Sequence, residues 1–231
     1  MLTQPPLLTI RRGFSRPDRA QVEKLRNSPT SFVVDCLGGR GALDYTIKPL
    51  SKKLTLCTYI GTALTCYAGP NDNLALYGAL HIAEKGDVIV AATDAYTGAA
   101  ITGDNVSGMM RNKGIAGLVT DGLVRDADAI INDVQFPIHC AGVSPNSPAR
   151  TGPGTVGQAI QIGGVTVNAG DVIVADAEGV VVVPLSMLAA VIQRIDDLKI
   201  KEAATAKRIA TGLTMMAEME EFLASDRVLF I

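Results

Sequence analysis

A chain of 231 residues with 48% hydrophobic and 19% charged side chains suits one large domain or two small ones, and that composition excludes disorder over most of its length. Twenty-one basic against 23 acidic residues leave a net charge of −2, too little to hold a polyanion by counterion release, so a generic nucleic-acid or membrane-surface role is disfavoured. Glycine is abundant at 23 residues; because Gly is costly inside regular elements, this points to many short strands joined by tight turns.

No apolar run approaches the roughly 18 residues that cross a bilayer. Residues 1–14 lack an apolar stretch followed by a cleavage site, so a cytoplasmic protein is expected. Cys36, Cys57, Cys66 and Cys140 form no C-x-x-C pair and read as small buried hydrophobes. With only His81 and His139 available, a zinc site built on several histidines is excluded.

In chain order, Pro17 opens a helix through Asn27, and Ser28-Pro29 starts a second that ends at Gly38-Gly39. Between Leu54 and Ala68 apolar residues recur with period two, predicting two strands that meet around Gly61-Thr62. Gly69-Pro70-Asn71-Asp72 is a turn capping a helix over about Asn73–Glu84. The hexapeptide Gly86-Asp87-Val88-Ile89-Val90-Ala91 recurs identically at Gly170–Ala175, and both copies read as a Gly-Asp turn feeding a buried strand. Between them lie a helix over about Gly103–Asn112, a strand at Ile115–Thr120, a turn at Asp121-Gly122, a short helix near Asp126–Asp133 and a strand at Pro137–Ala141.

Ser144–Gly157 reads as a loop, and its Gly152-Pro153-Gly154-Thr155-Val156-Gly157 has dinucleotide-fingerprint spacing. The fingerprint needs a strand before and a helix after; here a loop precedes and β-rich Ala159–Ile162 follows, so that reading is rejected. Strands continue from Val165 to Val183, and Pro184 closes the last. A long helix then runs from Ser186 to about Thr211, interrupted at Gly212, with a further segment through Leu223. The expected organisation is a helical segment over 1–30, a core domain over 31–184 carrying the site, and a helical extension over 185–231. That extension is longer than one core face needs, so part of it is expected to pack on another subunit.

The stretch from Gly103 to Asp126 is both polar and Gly-punctuated. Residues beyond strand ends and at helix N-termini share a crevice in sheets with helical crossovers. Asp104, Asp121 and Asp126 gathered there with Arg125 would suit a hard cation such as Mg²⁺, while the amides of Asn105 and Val106 would suit an anion. From spacing alone, a simple helix cap at Asp104 and a surface ion pair at Arg125-Asp126 explain the same residues. His81, His139, Asp176 and Glu178 read as surface, core or turn residues.

Asp104, twenty intervening residues and then Arg125-Asp126 resembles the D-x20-R-D signature of the family of the regulator of ribonuclease activity A and the class II aldolases for 4-hydroxy-4-methyl-2-oxoglutarate and 4-carboxy-4-hydroxy-2-oxoadipate. Gly114–Asp126, Gly69–Leu76 and Gly170–Pro184 are similar to the same family, and the resemblance spans roughly residues 30–210. It implies an α/β protein with a three-layer β/β/α swivelling-domain fold and a long C-terminal helix, assembled as a homotrimer or homohexamer with sites between subunits. It further implies Mg²⁺ or Mn²⁺ held by Asp126 directly and by Asp104 through a water. Arg125 would contact the keto oxygen of an oxo-acid substrate, and Asn105 and Val106, following Gly103, would bind its carboxylate through their amides. Glu202 is the candidate for an acid supplied by the adjacent subunit's C-terminal helix.

The implied reaction is metal-dependent cleavage of a 4-hydroxy-2-oxo acid to pyruvate, with oxaloacetate decarboxylation through the same enolate as a side activity. A Schiff-base route needs a desolvated lysine, and no Lys lies inside an apolar strand run. The rivals are a non-catalytic, ribonuclease-regulator-like protein that binds partners through its oligomer surface, and a related lyase or decarboxylase with a different oxo-acid substrate. The long C-terminal helix with an acidic residue favours an enzyme.

Overall fold

The computed structural model describes residues 6–231. The chain enters through β1 (Leu8–Ile10), α1 (Arg19–Glu23) and α2 (Thr30–Cys36), then passes β2 (Lys48–Pro49) and the single turn α3 (Leu54–Cys57) into β3 (Tyr59–Tyr67). Next come α4 (Leu74–Ile82), β4 (Asp87–Ala92), β5 (Ala100–Thr102), α5 (Asp104–Asn112), β6 (Gly117–Thr120) and β7 (Leu123–Val124). α6 (Ala127–Ala129) continues as a π-helical turn over Ile130–Val134, followed by β8 (Ile138–Cys140), β9 (Gly142–Val143) and β10 (Gly154–Val156). A hairpin of β11 (Ile160–Ile162) and β12 (Val165–Val167) precedes β13 (Val172–Ala175), β14 (Val180–Val183), α7 (Leu188–Ala210) and α8 (Ala217–Leu223).

The main sheet runs in the order β1, β10, β3, β4, β6, β8, β2, with β13 also on β3 and β14 on β13. β3, β4, β6 and β8 are mutually parallel. Their side chains alternate between two cores, as period-two geometry requires. Leu64, Cys66, Ile89, Ala91 and Leu118 face one way and bury against α4 and α5 through Leu76, Ala79, Val106 and Met110. Ala63, Val88, Val90 and Val119 face the other way and bury against Ile160, Ile162 and Val167 of the β11–β12 hairpin. The layers are therefore hairpin, sheet and helices, the three-layer β/β/α arrangement that the resemblance implies.

Several local expectations are corrected. Leu54–Ala68 does not hold two strands: a helical turn leads into one nine-residue strand, and Gly61 lies inside it rather than at a bend. A Cβ at Gly61 would run into the Gly86 carbonyl oxygen, so this glycine permits close approach and does not break the strand. Gly154–Val156 is a strand, not loop, because it pairs with both β1 and β3, which are remote in sequence. The first helix is only five residues long, with the Asp18 carboxylate accepting from the Ala20 amide at 3.0 Å.

The repeated hexapeptide has a local explanation. Asp87 accepts from the Glu84 amide and Asp171 from the Asn168 amide, each at 2.8 Å and three residues back. Each Asp amide in turn donates to that same residue's carbonyl at 3.1 Å. Both turns have a glycine at positive φ, 89° at Gly86 and 100° at Gly170. The copies nevertheless enter the sheet in opposite senses, β4 parallel to β3 and β13 antiparallel to it. One turn chemistry serves two strand starts.

By compactness the chain forms two units, one through Ile195 and one from Asp196 to Ile231. α7 begins in the first, where Leu188, Val191 and Ile195 are buried. No helix of the described residues is long and apolar enough to cross a membrane.

Candidate active site

A second, three-stranded sheet builds the site. β5 and β9 flank β7, all parallel, and the Arg125 amide extends the ladder by donating to the Thr102 carbonyl at 2.9 Å. The chain leaves β5 through Gly103 into α5 and leaves β7 through Arg125 into α6, so a helix N-terminus and the Arg125-Asp126 pair emerge side by side. Gly103 itself is extended, with φ −137° and ψ −163°, a conformation open to any residue. Its need is for space. A Cβ there would run into Asp126 Oδ2 and lie 3.0 Å from Arg125 Cγ and Nε. The missing side chain lets carboxylate and guanidinium lie directly on the backbone that starts α5.

Asp126 adopts a left-handed conformation, φ 55° and ψ 38°, which turns the chain sharply after β7 and which Asp tolerates better than most residues. Its carbonyl accepts the Ile130 amide at 3.0 Å. Arg125 Nε lies 3.1 Å from Asp126 Oδ2, with both side chains partly open at 36% and 39% exposure. The Arg125 Nη1 group also donates to Ser147 Oγ. At the start of α5 the Asp104 carboxylate accepts the amide of Asn105 at 2.7 Å. The Ser107 amide and hydroxyl both return to the Gly103 carbonyl. The first-turn amide of Val106 keeps the outward N–H that helix geometry leaves without an internal acceptor.

Gly103, Asp104, Asn105, Val106 and Arg125 line one part of a cavity of about 170 Å³, and Asn73, Tyr77, Ser147 and Arg150 line another; Asp126 pairs with Arg125 but does not itself line it. Asp121, expected in the same cluster, does not serve there. It is 8% exposed, and its two oxygens accept from the Thr93 amide and hydroxyl and the Ala95 amide at 2.7 to 3.0 Å. Glu202 is an exposed residue of the second unit, and the cavity within the first unit is built without it.

His139 is fully buried. With Nε2 donating to the Asp176 carbonyl at 2.8 Å, its Nδ1 accepts from the Tyr59 hydroxyl at 2.9 Å. Burial pushes its pKa down to about 4, so it is a neutral core residue, not a proton carrier. Lys113 donates to the last carbonyls of α4, at Leu80 and His81, rather than entering the cavity.

Asn73 and Tyr77 were not singled out as site residues by sequence reasoning; Ser147 and Arg150 lie in the loop near Ser144 to Arg150, which is the one expected to read the second half of a substrate but whose position the sequence does not give. The Gly-Pro-Asn-Asp turn signals a helix start, but not that Asp72 would also bind the amides of Thr151 and Gly152 and thereby hold a distant loop over the site. The Pro and Ser content of 144–157 marks a loop without saying what it covers.

Among the described residues no three His, Cys, Asp or Glu side chains cluster as a ready cation cage. Asp104 lines the cavity, and the Asp126 carboxylate lies beside it against Gly103 and Arg125. That set fits a cation which keeps most of its waters and takes one or two carboxylates, and it does not fit a tetrahedral zinc site.

A family profile described as RraA-like, Aldolase/RraA, matches residues 30–182. The chain belongs to this family. A relative from Halalkalibacterium halodurans, provisionally named 4-hydroxy-4-methyl-2-oxoglutarate aldolase, is 35% identical over 203 residues, covering 87% of this chain and 95% of the relative. The crystal structure of Streptomyces coelicolor RraAS2, described as an unusual member of the RNase ES inhibitor RraA protein family, matches with a TM-score of 0.74 and 27% identity. That alignment covers 84% of this chain and 99% of the other. A crystal structure from Pseudomonas syringae pv. tomato str. DC3000 gives the same TM-score at 24% identity, covering 87% of this chain and 97% of that one, and shows the shared fold. Relatives of this RraA-like chain thus carry both a lyase name and a ribonuclease-inhibitor name.

Proposed function

We propose that this RraA-like protein is a divalent-metal-dependent aldolase that cleaves a 4-hydroxy-2-oxo acid to pyruvate, with oxaloacetate decarboxylation as a side activity. The observation that carries the reading is the meeting of Arg125, Asp126 and the α5 N-terminus across Gly103, where any side chain would separate them. Asp126, assisted by Asp104, would hold Mg²⁺ or Mn²⁺. When bound, such a cation supplies Lewis-acid stabilisation of negative charge developing on the substrate and acidifies associated water.

The chain's own groups account for the rest. The positive end of α5, with the outward amide of Val106, orients the substrate carboxylate. The Asn105 amide is engaged by the Asp104 carboxylate in this structure and would be open to the same substrate carboxylate if Asp104 instead helped to hold the cation. As the C4 hydroxyl gives its proton to a water, a C4 carbonyl forms and the C3–C4 bond breaks; its electron pair becomes the C2–C3 double bond of an enolate while the C2 carbonyl pair moves onto the C2 oxygen. Arg125 donates to that oxygen as the charge develops. Protonation at C3 then gives pyruvate. In oxaloacetate the departing group is carbon dioxide, and the same enolate forms.

Assembly as a homotrimer or homohexamer, with Glu202 presented to the site of an adjacent copy, completes the proposal. Support comes from the length of α7 and from exposed Ile200 and Ile209 along it. The test is a coupled pyruvate-release assay with oxaloacetate and a panel of 4-hydroxy-2-oxo acids, with and without Mg²⁺, on wild type and Arg125→Ala. Metal-dependent pyruvate from wild type and its loss in the variant are expected. No metal-dependent pyruvate from any substrate would overturn the reading and favour the regulator-like binding protein.

A further inference from the structure

Arg125 is held at two points, and the two anchors differ in what the reaction asks of them. Asp126 Oδ2 lies 3.1 Å from Nε, and Ser147 Oγ accepts from Nη1. Among the described residues Nη2 has no acceptor, so it is the group left for a ligand. In the proposed reaction the Asp126 carboxylate also holds the cation. Its charge is then shared, and its pull on the guanidinium falls. The neutral hydroxyl of Ser147, which the cleavage scheme above does not use, is the anchor that keeps its full hold on Arg125.

Ser147 sits in a stretch whose backbone is fixed from both directions. Ser144-Pro145-Asn146-Ser147-Pro148 carries two prolines, which set their own φ and confine the residues before them, Ser144 and Ser147, to extended backbone. Before Ser147, the Ser144 amide donates to the Val124 carbonyl at 2.9 Å, and the Asn146 carbonyl accepts the Ala100 amide at 3.0 Å. Asn146 Nδ2 also donates to the Gly98 carbonyl at 2.9 Å. Val124 and Ala100 belong to β7 and β5, the strands that lead into Arg125 and Gly103. After Ser147, the Ala149 amide donates to the Asn71 carbonyl at 2.8 Å, and the Ala149 carbonyl accepts the Asn73 amide at 3.1 Å. On the far side of Arg150, Asp72 Oδ2 accepts the amides of Thr151 at 2.6 Å and Gly152 at 2.9 Å. Burial works against the Asp72 charge, but these amides, that of Leu74 and the Thr151 hydroxyl outweigh it and hold the carboxyl below its ordinary range. The Ser147 hydroxyl is therefore presented to Arg125 by a clamped loop that joins the strands of the site to the turn before α4.

We propose that Ser147 is a positioning residue for Arg125. It accepts from Nη1, fixes the plane of the guanidinium and so aims the remaining N–H groups at the C2 oxygen, where negative charge develops. This inference rests on the aldolase reading and concerns how Arg125 is held. The charge that Arg125 meets is present in the enolate and not in the bound substrate. Loss of the Ser147 anchor therefore falls on kcat and leaves KM nearly unchanged.

The experiment measures pyruvate release from oxaloacetate and 4-hydroxy-2-oxoglutarate, with saturating Mg²⁺, by wild type, Ser147→Ala and Ser147→Thr. Binding of oxalate, a planar mimic of the pyruvate enolate, is followed by calorimetry on the same proteins, on Arg125→Ala and on the Arg125→Ala, Ser147→Ala double variant. Ser147→Ala should lower kcat about tenfold on both substrates and weaken oxalate by a similar factor, with KM within about twofold of wild type. Ser147→Thr keeps the hydroxyl and should recover most of both losses. Without Arg125, removing the Ser147 hydroxyl should cost oxalate nothing further, because its effect passes through the arginine. Four results would overturn the assignment: unchanged kcat and oxalate affinity in Ser147→Ala, a loss confined to KM, a threonine variant as impaired as the alanine variant, or an oxalate loss that persists in the Arg125→Ala background. Wild type that releases no metal-dependent pyruvate from either substrate removes the aldolase reading, and this inference with it. An active wild type with an equally active Ser147→Ala removes this inference alone.

Discussion

Asp121 is buried and accepts three hydrogen bonds from Thr93 and Ala95, whereas Asp126, five residues later, keeps a side chain 39% exposed and meets Arg125 at the edge of a cavity. Both follow short strands, and both look alike in a sequence that gathers Asp, Arg and Gly over two dozen residues. The difference lies in the donors that the fold brings to each. Asp121 ties the end of β4 to the end of β6, a structural task that occupies three of the roughly four acceptor positions of its carboxylate and keeps it buried. Asp126 is turned by its left-handed backbone onto Gly103, where its carboxylate stays open. A carboxylate is available for chemistry to the extent that the surrounding amides have not already claimed it.

The contrast can be broken most directly at Asp126. Asp126→Ala should lower pyruvate release by roughly a thousandfold, while its thermal midpoint stays near wild type because the side chain is half open. Retention of activity within a few-fold would move the chemistry elsewhere. Asp121→Ala should do the reverse, stranding two amides and a hydroxyl and costing about 3 kcal/mol. Urea denaturation checks this; a change below about 0.5 kcal/mol would mean that water replaces the lost acceptor.

Acid probes the buried side of the comparison. His139 takes up a proton in the unfolded chain near its ordinary pKa of 6.5 but in the folded chain only near 4, because burial disfavours the charged ring. Its contribution to stability is therefore complete above pH 6.5 and is lost as pH falls toward 4. The loss amounts to about 1.4 kcal/mol per pH unit through that window. His139→Gln should flatten this limb, and an unchanged acid profile would assign the loss to other groups. The smallest effect is expected at Gly103. Gly103→Ala should displace Asp126 and Arg125 enough to reduce kcat/KM by about tenfold, with little change in denaturant midpoint. Unaltered kinetics would show that the close packing is not required.

Elements with a clear period were legible before any coordinates. The helix after Gly103, the buried strands at Asp87–Ala92 and Val172–Ala175, and the long helix from Leu188 follow from alternation, caps and apolar spacing. The two- and three-residue strands β5, β7 and β9 were not legible, since so short a run carries no period, yet they set Gly103 beside Arg125. β10 was hidden in a Pro- and Gly-rich stretch because its pairing partners, β1 and β3, lie far away in the chain. The strand break expected at Gly61 failed for a related reason: whether a glycine bends a strand or admits a neighbour depends on what lies against it, here the Gly86 carbonyl.

By itself, the sequence determined that this is an apolar, nearly neutral α/β chain, where its long elements lie, and which residues resemble the D-x20-R-D signature. Those properties follow from local period, turn chemistry and residue type. The tertiary structure decided that Asp121 is consumed while Asp126 is open, and that Arg150 joins Arg125 in one cavity. The donors to Asp121 come from Thr93 and Ala95, and the clamp around Arg150 comes from Asn71, Asp72 and Asn73, each more than two dozen residues away in the chain. The capacity of a charged group to act is set by such distant hydrogen-bond partners, which local sequence does not specify.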